Sequence, residues 1–257
     1  MRILLNEVDP AVAQPGQDLT EAELAALYAY PEETVAERPW VRANFVTTLD
    51  GAVTGDDGRS GSINTGADRI LFSLIRALSD VIVAGAGTVR TEEYQRARTA
   101  ARWRAVRRAG QRPHPVIAVV SRSANLPPSL LEHQEDAGEV MLLTCRAADS
   151  AALDEVRQAL GDDRVLVLGE DRVDLRAALD ALAQQGLRRV LCEGGPHLMH
   201  DLVDADLVDE LCLTLAPRIV AGDRLRLLAG KPLERTFVPR LLVESDGTLA
   251  GRWLRGV

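Results

Sequence analysis

The sequence predicts an α/β fold: a mainly parallel central sheet flanked by helices, closed by a C-terminal antiparallel hairpin. Three observations carry this expectation. Short, continuous β-branched runs recur from Trp40 onward, the pattern of strands buried on both faces. Helix-period stretches fall between several of these runs, as right-handed crossovers in a parallel sheet require. Near the end the pattern changes to alternation, interrupted by Ser245-Asp246-Gly247, a hairpin signal.

Residues 1–39 read as a polar, Pro-punctuated lead-in with one short helix, where Thr20 and Glu23 make a capping box ahead of Leu24 and Leu27. The first strong strand is 40–48. Further strands are expected at 80–84, 115–120, 139–144, 164–168 and 188–192. A helix over 65–78 opens with Thr65 and Asp68 in capping-box spacing and carries Ile70, Leu71, Leu74, Ile75 and Leu78 on one face. Helices over 151–160 and 175–185 follow, the second ending at Gly186. Residues 209–216 alternate Leu211, Leu213 and Leu215 with polar or small neighbours, and 241–244 and 249–254 form the hairpin. No linker interrupts 40–257, which is therefore expected to be one domain.

Composition narrows the function classes. The chain has 257 residues, 46% hydrophobic and 26% charged, enough for a large core without a disulfide or metal staple. A net charge of −8 speaks against a nucleic-acid binder. The arginines from Arg90 to Arg112 read as a solvated helix face, with phosphate binding by a few of them as the competing reading. Lys231 is the single lysine, so no mechanism can use a lysine from the first half. The three cysteines, Cys145, Cys192 and Cys212, sit in apolar runs and are expected as buried thiols of a cytoplasmic protein. No run approaches the ~18–20 apolar residues that cross a bilayer, and no secretory signal is expected.

Four places could carry chemistry. Residues 44–51, Asn-Phe-Val-Thr-Thr-Leu-Asp-Gly, end a buried strand in two hydroxyls and a carboxylate, where an open sheet places ligands. A plain Asp-Gly turn is the alternative. Residues 84–90 resemble half of a dinucleotide fingerprint, with Glu92 and Glu93 close behind. Residues 192–198, Cys-Glu-Gly-Gly-Pro-His-Leu, take a strand into a helix through two glycines and a first-turn proline, leaving bare N–H groups that favour phosphate. A tight turn is again the alternative, and a metal on His197, His200 and Glu193 lacks the helical His-Glu-x-x-His arrangement. Last, Ser121-Arg122-Ser123 clusters hydroxyls and a guanidinium beyond a strand, suited to a phosphate monoester. There is no Gly-x-Ser-x-Gly elbow, P-loop or Cys-x-x-Cys, and an aromatic content of 4% disfavours a flavin cage.

The motifs Thr48-Leu49-Asp50-Gly51, Gly58-Arg59-Ser60, Leu74-Ile75-Arg76, Gly87-Thr88-Val89, Glu193-Gly194-Gly195-Pro196-x-Leu198 and Leu215-Ala216-Pro217 occur in this order. Together they resemble the reductase domain of the riboflavin-biosynthesis deaminase/reductase in its stand-alone bacterial form, from about Trp40 to the C-terminus. The resemblance implies a dihydrofolate-reductase-like fold, a homodimer, and an NADPH-dependent reductase of a phosphorylated pyrimidine. Members reduce the ribosyl group of 5-amino-6-(5-phosphoribosylamino)uracil to the ribitylamino group.

By the same resemblance Thr48, Ser60, Arg76 and Glu193 would meet the substrate, with Asp50 at the cleft floor. Ser62 and Thr88 would meet the nicotinamide half of NADPH. Gly194, Gly195, Pro196, His197 and Leu198 would hold its pyrophosphate, and Ser121, Arg122 and Ser123 its 2′-phosphate. Asp50, Glu92 or water would supply the proton. Two departures from the family pattern stand out: Asn44 occupies a frequent lysine position, and Glu92 a frequent aspartate position. A lost cation weakens binding of an anionic substrate unless Arg76, Arg96 or Arg98 compensates. This keeps two rivals in view: a reductase of dihydrofolate or another pterin, and an NADPH-binding sensor or scaffold without turnover.

Overall fold

Six of the β-branched runs become neighbouring parallel strands. In the computed structural model, which describes residues 1–256, these are β2 (Trp40–Thr47), β3 (Val81–Gly85), β4 (Val116–Val120), β5 (Val140–Thr144), β6 (Val165–Val167) and β7 (Arg189–Cys192). With β1 (Arg2–Asn6), β8 (Glu210–Leu215), β9 (Phe237–Ser245) and β10 (Thr248–Arg255), they build one ten-stranded sheet. Its order is β1-β9-β10-β8-β2-β7-β3-β4-β5-β6. Pairings from β8 through β6 are parallel; β10–β8, β9–β10 and β1–β9 are antiparallel. The hairpin turns at Asp246 and Gly247, both at positive φ, as a two-residue turn between right-twisted strands requires.

The helices are α1 (Glu21–Leu27), α2 (Glu32–Glu37), α3 (Gly66–Leu78), α4 (Ala86–Thr91), α5 (Pro128–Leu131), α6 (Ser150–Leu160), α7 (Leu175–Gln184) and α8 (Pro196–Asp204). Side-chain caps set several starts: Thr65 accepts from the Asp68 amide, Asp149 from Ala152 and Asp174 from Ala177. Strand alternation feeds two cores. Ile82 and Ala84 face α1, α3 and α6, whereas Val81 and Val83 face α7 and α8. Among the described residues no helix is long and apolar enough to cross a membrane.

Two segments differ from the sequence expectation. Residues 1–39 hold two helices, and β1 extends the sheet itself, so the segment is more than a lead-in with one helix. Its hydrophobic residues are spent on this contact: Ile3, Leu24, Leu27 and Tyr28 are buried. The arginines of 90–112 do not share a helix face. α4 ends at Thr91, and the chain continues irregularly to a 3₁₀ turn at Ala101–Val106 whose Trp103 donates to Ser73 (2.9 Å). These arginines reach separate partners instead: Arg102 pairs with Glu21, Arg108 with Glu32, and Arg107 donates to the Ala77 and Ser79 carbonyls.

A buried charge cluster locks the early segment onto the sheet. Glu210 on β8 and Arg42 on β2 are both 0% exposed, and Arg252 on β10 is nearly so. Glu210 accepts from Arg42 at 3.0 Å, from Arg252 at 2.6 Å and from the Trp40 indole at 3.0 Å. The second positive charge is met by carbonyls: Arg42 donates to Tyr28 (2.7 Å), and Arg252 to Leu27. Both guanidinium groups lie over tyrosine rings, Arg42 on Tyr30 and Arg252 on Tyr28.

Candidate active site

The main cleft, about 660 Å³, opens where the carboxyl ends of β2, β7 and β3 lie side by side. Strand order changes direction here, since β7 inserts between β2 and β3. Adjacent loops therefore part and leave a crevice. β2 contributes Asn44 and Phe45, α3 contributes Asp68, Phe72 and Arg76, and the β7–α8 junction contributes Glu193 and Gly195 through Leu198.

One wall is a charged trio. Arg76 grips Glu193 through two parallel bonds, Nε–Oε1 at 2.7 Å and Nη2–Oε2 at 2.6 Å. The Tyr94 hydroxyl donates to the same carboxylate at 2.5 Å. Arg76 also stacks on Phe72, 4.3 Å from the ring centre. Burial works against the Arg76 charge, but Glu193 outweighs it and keeps the guanidinium protonated. Burial, then the Glu193 charge, push the Tyr94 hydroxyl well up, so it remains a proton donor to Glu193. The trio is a rigid, oriented set of polar edges facing the cleft.

The opposite end is built from backbone. After β7, Glu193 donates its amide to the Val83 carbonyl (3.0 Å), and the Gly194 carbonyl accepts from the Gly85 amide (2.7 Å). Gly194 has φ +81°, and a Cβ there would strike the Phe45 ring at 2.8 Å. A Cβ on Gly195 would come within 2.5 Å of the Thr88 hydroxyl. Only glycines let the chain pass so close. Gly195 caps α8 and Pro196 is its first residue. Pro196 has no N–H, so His197 and Leu198 present the amides that find no carbonyl inside the helix. Backbone donors, a helix N-terminus and a side-chain-free approach together fit the diphosphate of a dinucleotide.

The structure brings together Ser60, Arg76, Thr88, Glu92, Glu193, Gly195, Pro196, His197 and Leu198, all of which line the cleft. Glu92 accepts from the Ser60 amide at 2.8 Å and thereby holds the 55–62 loop against α4. Thr48, Asp50, Ser62, Ser121, Arg122, Ser123 and Gly194 stand outside the lining. Asp50 is exposed and faces the 220 loop, accepting from the Ala221 amide (2.7 Å) and from Thr48. Those bonds, Thr48 first, hold its carboxyl below the usual range, so it is an ionised anchor and a poor proton donor. Ser62 points back into its own loop, its hydroxyl shared by Asp57 (2.7 Å) and the Arg59 carbonyl (2.9 Å). Ser121, Arg122 and Ser123 follow β4. Ser121 is buried with an unpartnered hydroxyl, as is Thr144 at the end of neighbouring β5, while Arg122 and Ser123 are exposed. Among the described residues no cluster of His, Cys, Asp and Glu suits a metal ion, and the His200 ring donates its Nε2–H to the Lys231 carbonyl at 2.9 Å.

Among the cleft residues that sequence reading missed are Tyr94, Phe72 and Asp68. Tyr94 follows α4 in irregular chain, so no periodicity exposes it. Phe72 and Asp68 share a legible signal, because Asp68, Phe72 and Arg76 stand four residues apart along one stripe of α3. Of the three arginines named as possible compensation for Asn44, Arg76 is committed to Glu193, and Arg98 donates to the Glu135 and Asp136 carbonyls. Arg96 lines the cleft with a buried, unpartnered Nε.

The sequence model of the RibD C-terminal domain matches residues 39–251. A 2,5-diamino-6-ribosylamino-4(3H)-pyrimidinone 5′-phosphate reductase of Archaeoglobus fulgidus is 30% identical over 72% of this chain and 83% of its own length. The protein of the same name from Methanothermobacter thermautotrophicus is 31% identical over 74% of this chain and 83% of its own. Among solved structures, a pyrimidine reductase-like protein of Corynebacterium diphtheriae superposes with a TM-score of 0.77 at 26% identity, covering 93% of this chain and all of that one. Acinetobacter baumannii RibD shares the fold, with a TM-score of 0.66 at 21% identity over 86% of this chain and 59% of that one.

Proposed function

The chain belongs to the RibD C-terminal domain family, and from that premise we propose that it reduces the ribosyl group of 5-amino-6-(5-phosphoribosylamino)uracil to the ribitylamino group, using NADPH. The observation that carries this reading is a single cleft joining a glycine-lined helix N-terminus to the Arg76–Glu193–Tyr94 trio. The first suits a diphosphate; the second offers both a donor edge and an acceptor edge to a flat polar heterocycle.

Bound NADPH supplies the hydride, and the protein supplies position and electrostatics. Gly194, Gly195, His197 and Leu198 offer their backbone to the diphosphate behind Pro196. Thr88 borders the nicotinamide half, and Ser121, Arg122 and Ser123 receive the 2′-phosphate. Arg76, Glu193 and Ser60 orient the pyrimidine. Thr48, Asp50 and Ser62 act by holding the 48–62 loop in place rather than by touching ligand. A homodimer and a cytoplasmic setting belong to the same proposal, the latter supported by three buried free thiols.

A second substrate reading has its own support: relatives near 30% identity are named for the 2,5-diamino-6-ribosylamino pyrimidinone 5′-phosphate. Following NADPH oxidation with that compound, with the uracil and with dihydrofolate separates the readings. Turnover of neither ribosylaminopyrimidine phosphate overturns the proposal.

Two substitutions probe the anionic groups. Arg96→Ala is expected to raise KM for the phosphorylated substrate roughly 10- to 100-fold, the loss of one charge-assisted contact of about 1.5–3 kcal/mol. Its kcat should hold, and an unchanged KM removes Arg96 from the phosphate. Arg122→Ala should cut the preference for NADPH over NADH by roughly 10-fold. The ratio of kcat/KM for the two coenzymes is the readout.

A further inference from the structure

The four carboxylates that border the cleft are Asp68, Glu92, Glu93 and Glu193, and three of them are already engaged. Glu193 is held by Arg76 and Tyr94, Glu92 by the Ser60 amide, and Glu93 by Arg59 at 2.6 Å. Asp68 differs. It is 3% exposed, lines the cleft, and carries only the Thr214 hydroxyl on its carboxyl, with Arg69 as the charge that acts on it. It stands two helical turns before Arg76 on the same stripe of α3, with Phe72 between them. Two neutral side chains come from the sheet: Asn44 on β2, which lines the same cleft, and Thr214 on β8, whose hydroxyl bonds the Asp68 carboxyl.

We propose that Asp68 is the acid that protonates the sugar ring oxygen of the substrate, an inference that rests on the function proposed above. As the C1′–O4′ bond breaks, the Asp68 proton passes to O4′ and leaves a free hydroxyl. The lone pair of the exocyclic nitrogen becomes the second bond of a C1′=N iminium. A bound reduced nicotinamide would supply hydride to C1′ and be oxidised in turn, and the C=N pair would return to nitrogen. The Asp68 carboxylate takes a new proton from water. One hydride and one proton are consumed, as the reduction requires.

The surroundings favour the protonated form of this acid. Burial raises the Asp68 carboxyl above the ordinary range; Thr214 and then Arg69, the neighbour on α3, act the other way without cancelling it. Arg76 is neutralised by Glu193, so its charge does not draw the proton off. Tyr94, the other cleft proton donor, is committed to Glu193.

The test compares Asp68→Asn with the unmodified protein. The unmodified kcat/KM should fall as pH rises through the Asp68 pKa. Asp68→Asn should lose about 100-fold or more in kcat/KM and lose that limb of the profile, with NADPH affinity and melting temperature unchanged. Carboxyl carbon NMR of the unmodified protein, assigned by the Asn variant, reads the same group without turnover. A carboxyl titrating at the ordinary aspartate value of about 3.9 overturns the proposal, whatever the variant's stability. So does an Asn variant that keeps its rate and its pH profile while the unmodified protein is active. An unmodified protein that turns over neither pyrimidine overturns the functional reading itself, and the acid role with it.

Discussion

Glu210→Gln should cost the protein about 3–5 kcal/mol of stability, because it strands two buried guanidinium groups without their counter-charge. Arg42 and Arg252 would keep their bonds to the Tyr28 and Leu27 carbonyls, but carbonyl dipoles do not replace a carboxylate. Urea unfolding should show a lower midpoint with the slope preserved. A loss under about 1 kcal/mol would mean that the cluster relaxes or admits water. The same cluster sets an acid limit. Burial opposes ionisation of Glu210, yet Arg252 and Arg42 outweigh it and hold the carboxyl at about 2 in the folded protein. A depressed folded-state pKa stabilises fully above the unfolded value, about 4.3, and this contribution is lost as pH falls toward 2. The unmodified protein should lose stability over that window, and the Gln variant should lose less of it.

Gly195→Asp should weaken NADPH binding by about 100-fold or more, since like charges brought together cost several kcal/mol. The substitution sets a carboxylate where the diphosphate is proposed to lie, and its Cβ enters the space of the Thr88 hydroxyl. Gly195→Ala separates the two effects: it carries the steric part without the charge and should lose markedly less. Calorimetric titration with NADPH gives both affinities. Wild-type affinity in the Asp variant would move the coenzyme away from this corner.

The parallel half of the sheet was legible because each of its strands is a local signal. Val81 to Gly85 or Val116 to Val120 reads as a doubly buried strand without knowledge of its neighbours. The glycine corner was legible for a similar reason: Gly194-Gly195-Pro196 states its backbone geometry in three residues. What escaped was non-local. β1 is five residues with one fully buried side chain flanked by exposed ones, and it becomes a strand through β9, where Arg2 meets Glu244 across 242 residues. Asp68 announced itself as a helix-start residue, which it is, since its amide meets Thr65. Its second role depends on which strands lie beneath α3, and helix periodicity is silent about that. Asp50 erred in the opposite sense. It sits at a strand's carboxyl end, where ligands gather, but the amides of Val220 and Ala221, far along the chain, claim its carboxylate.

The pairing of β1 with β9 bears on how the molecule is made. On a ribosome, the first strand emerges long before the hairpin that will cover its edge. Until then β1 lacks its strand partner, and the Leu27 carbonyl at the end of α1 lacks the Arg252 guanidinium. Late closure of this kind slows folding, because distant segments must meet before any contact rewards them. Until β9 is made, the edge of β1 is open to stray pairing.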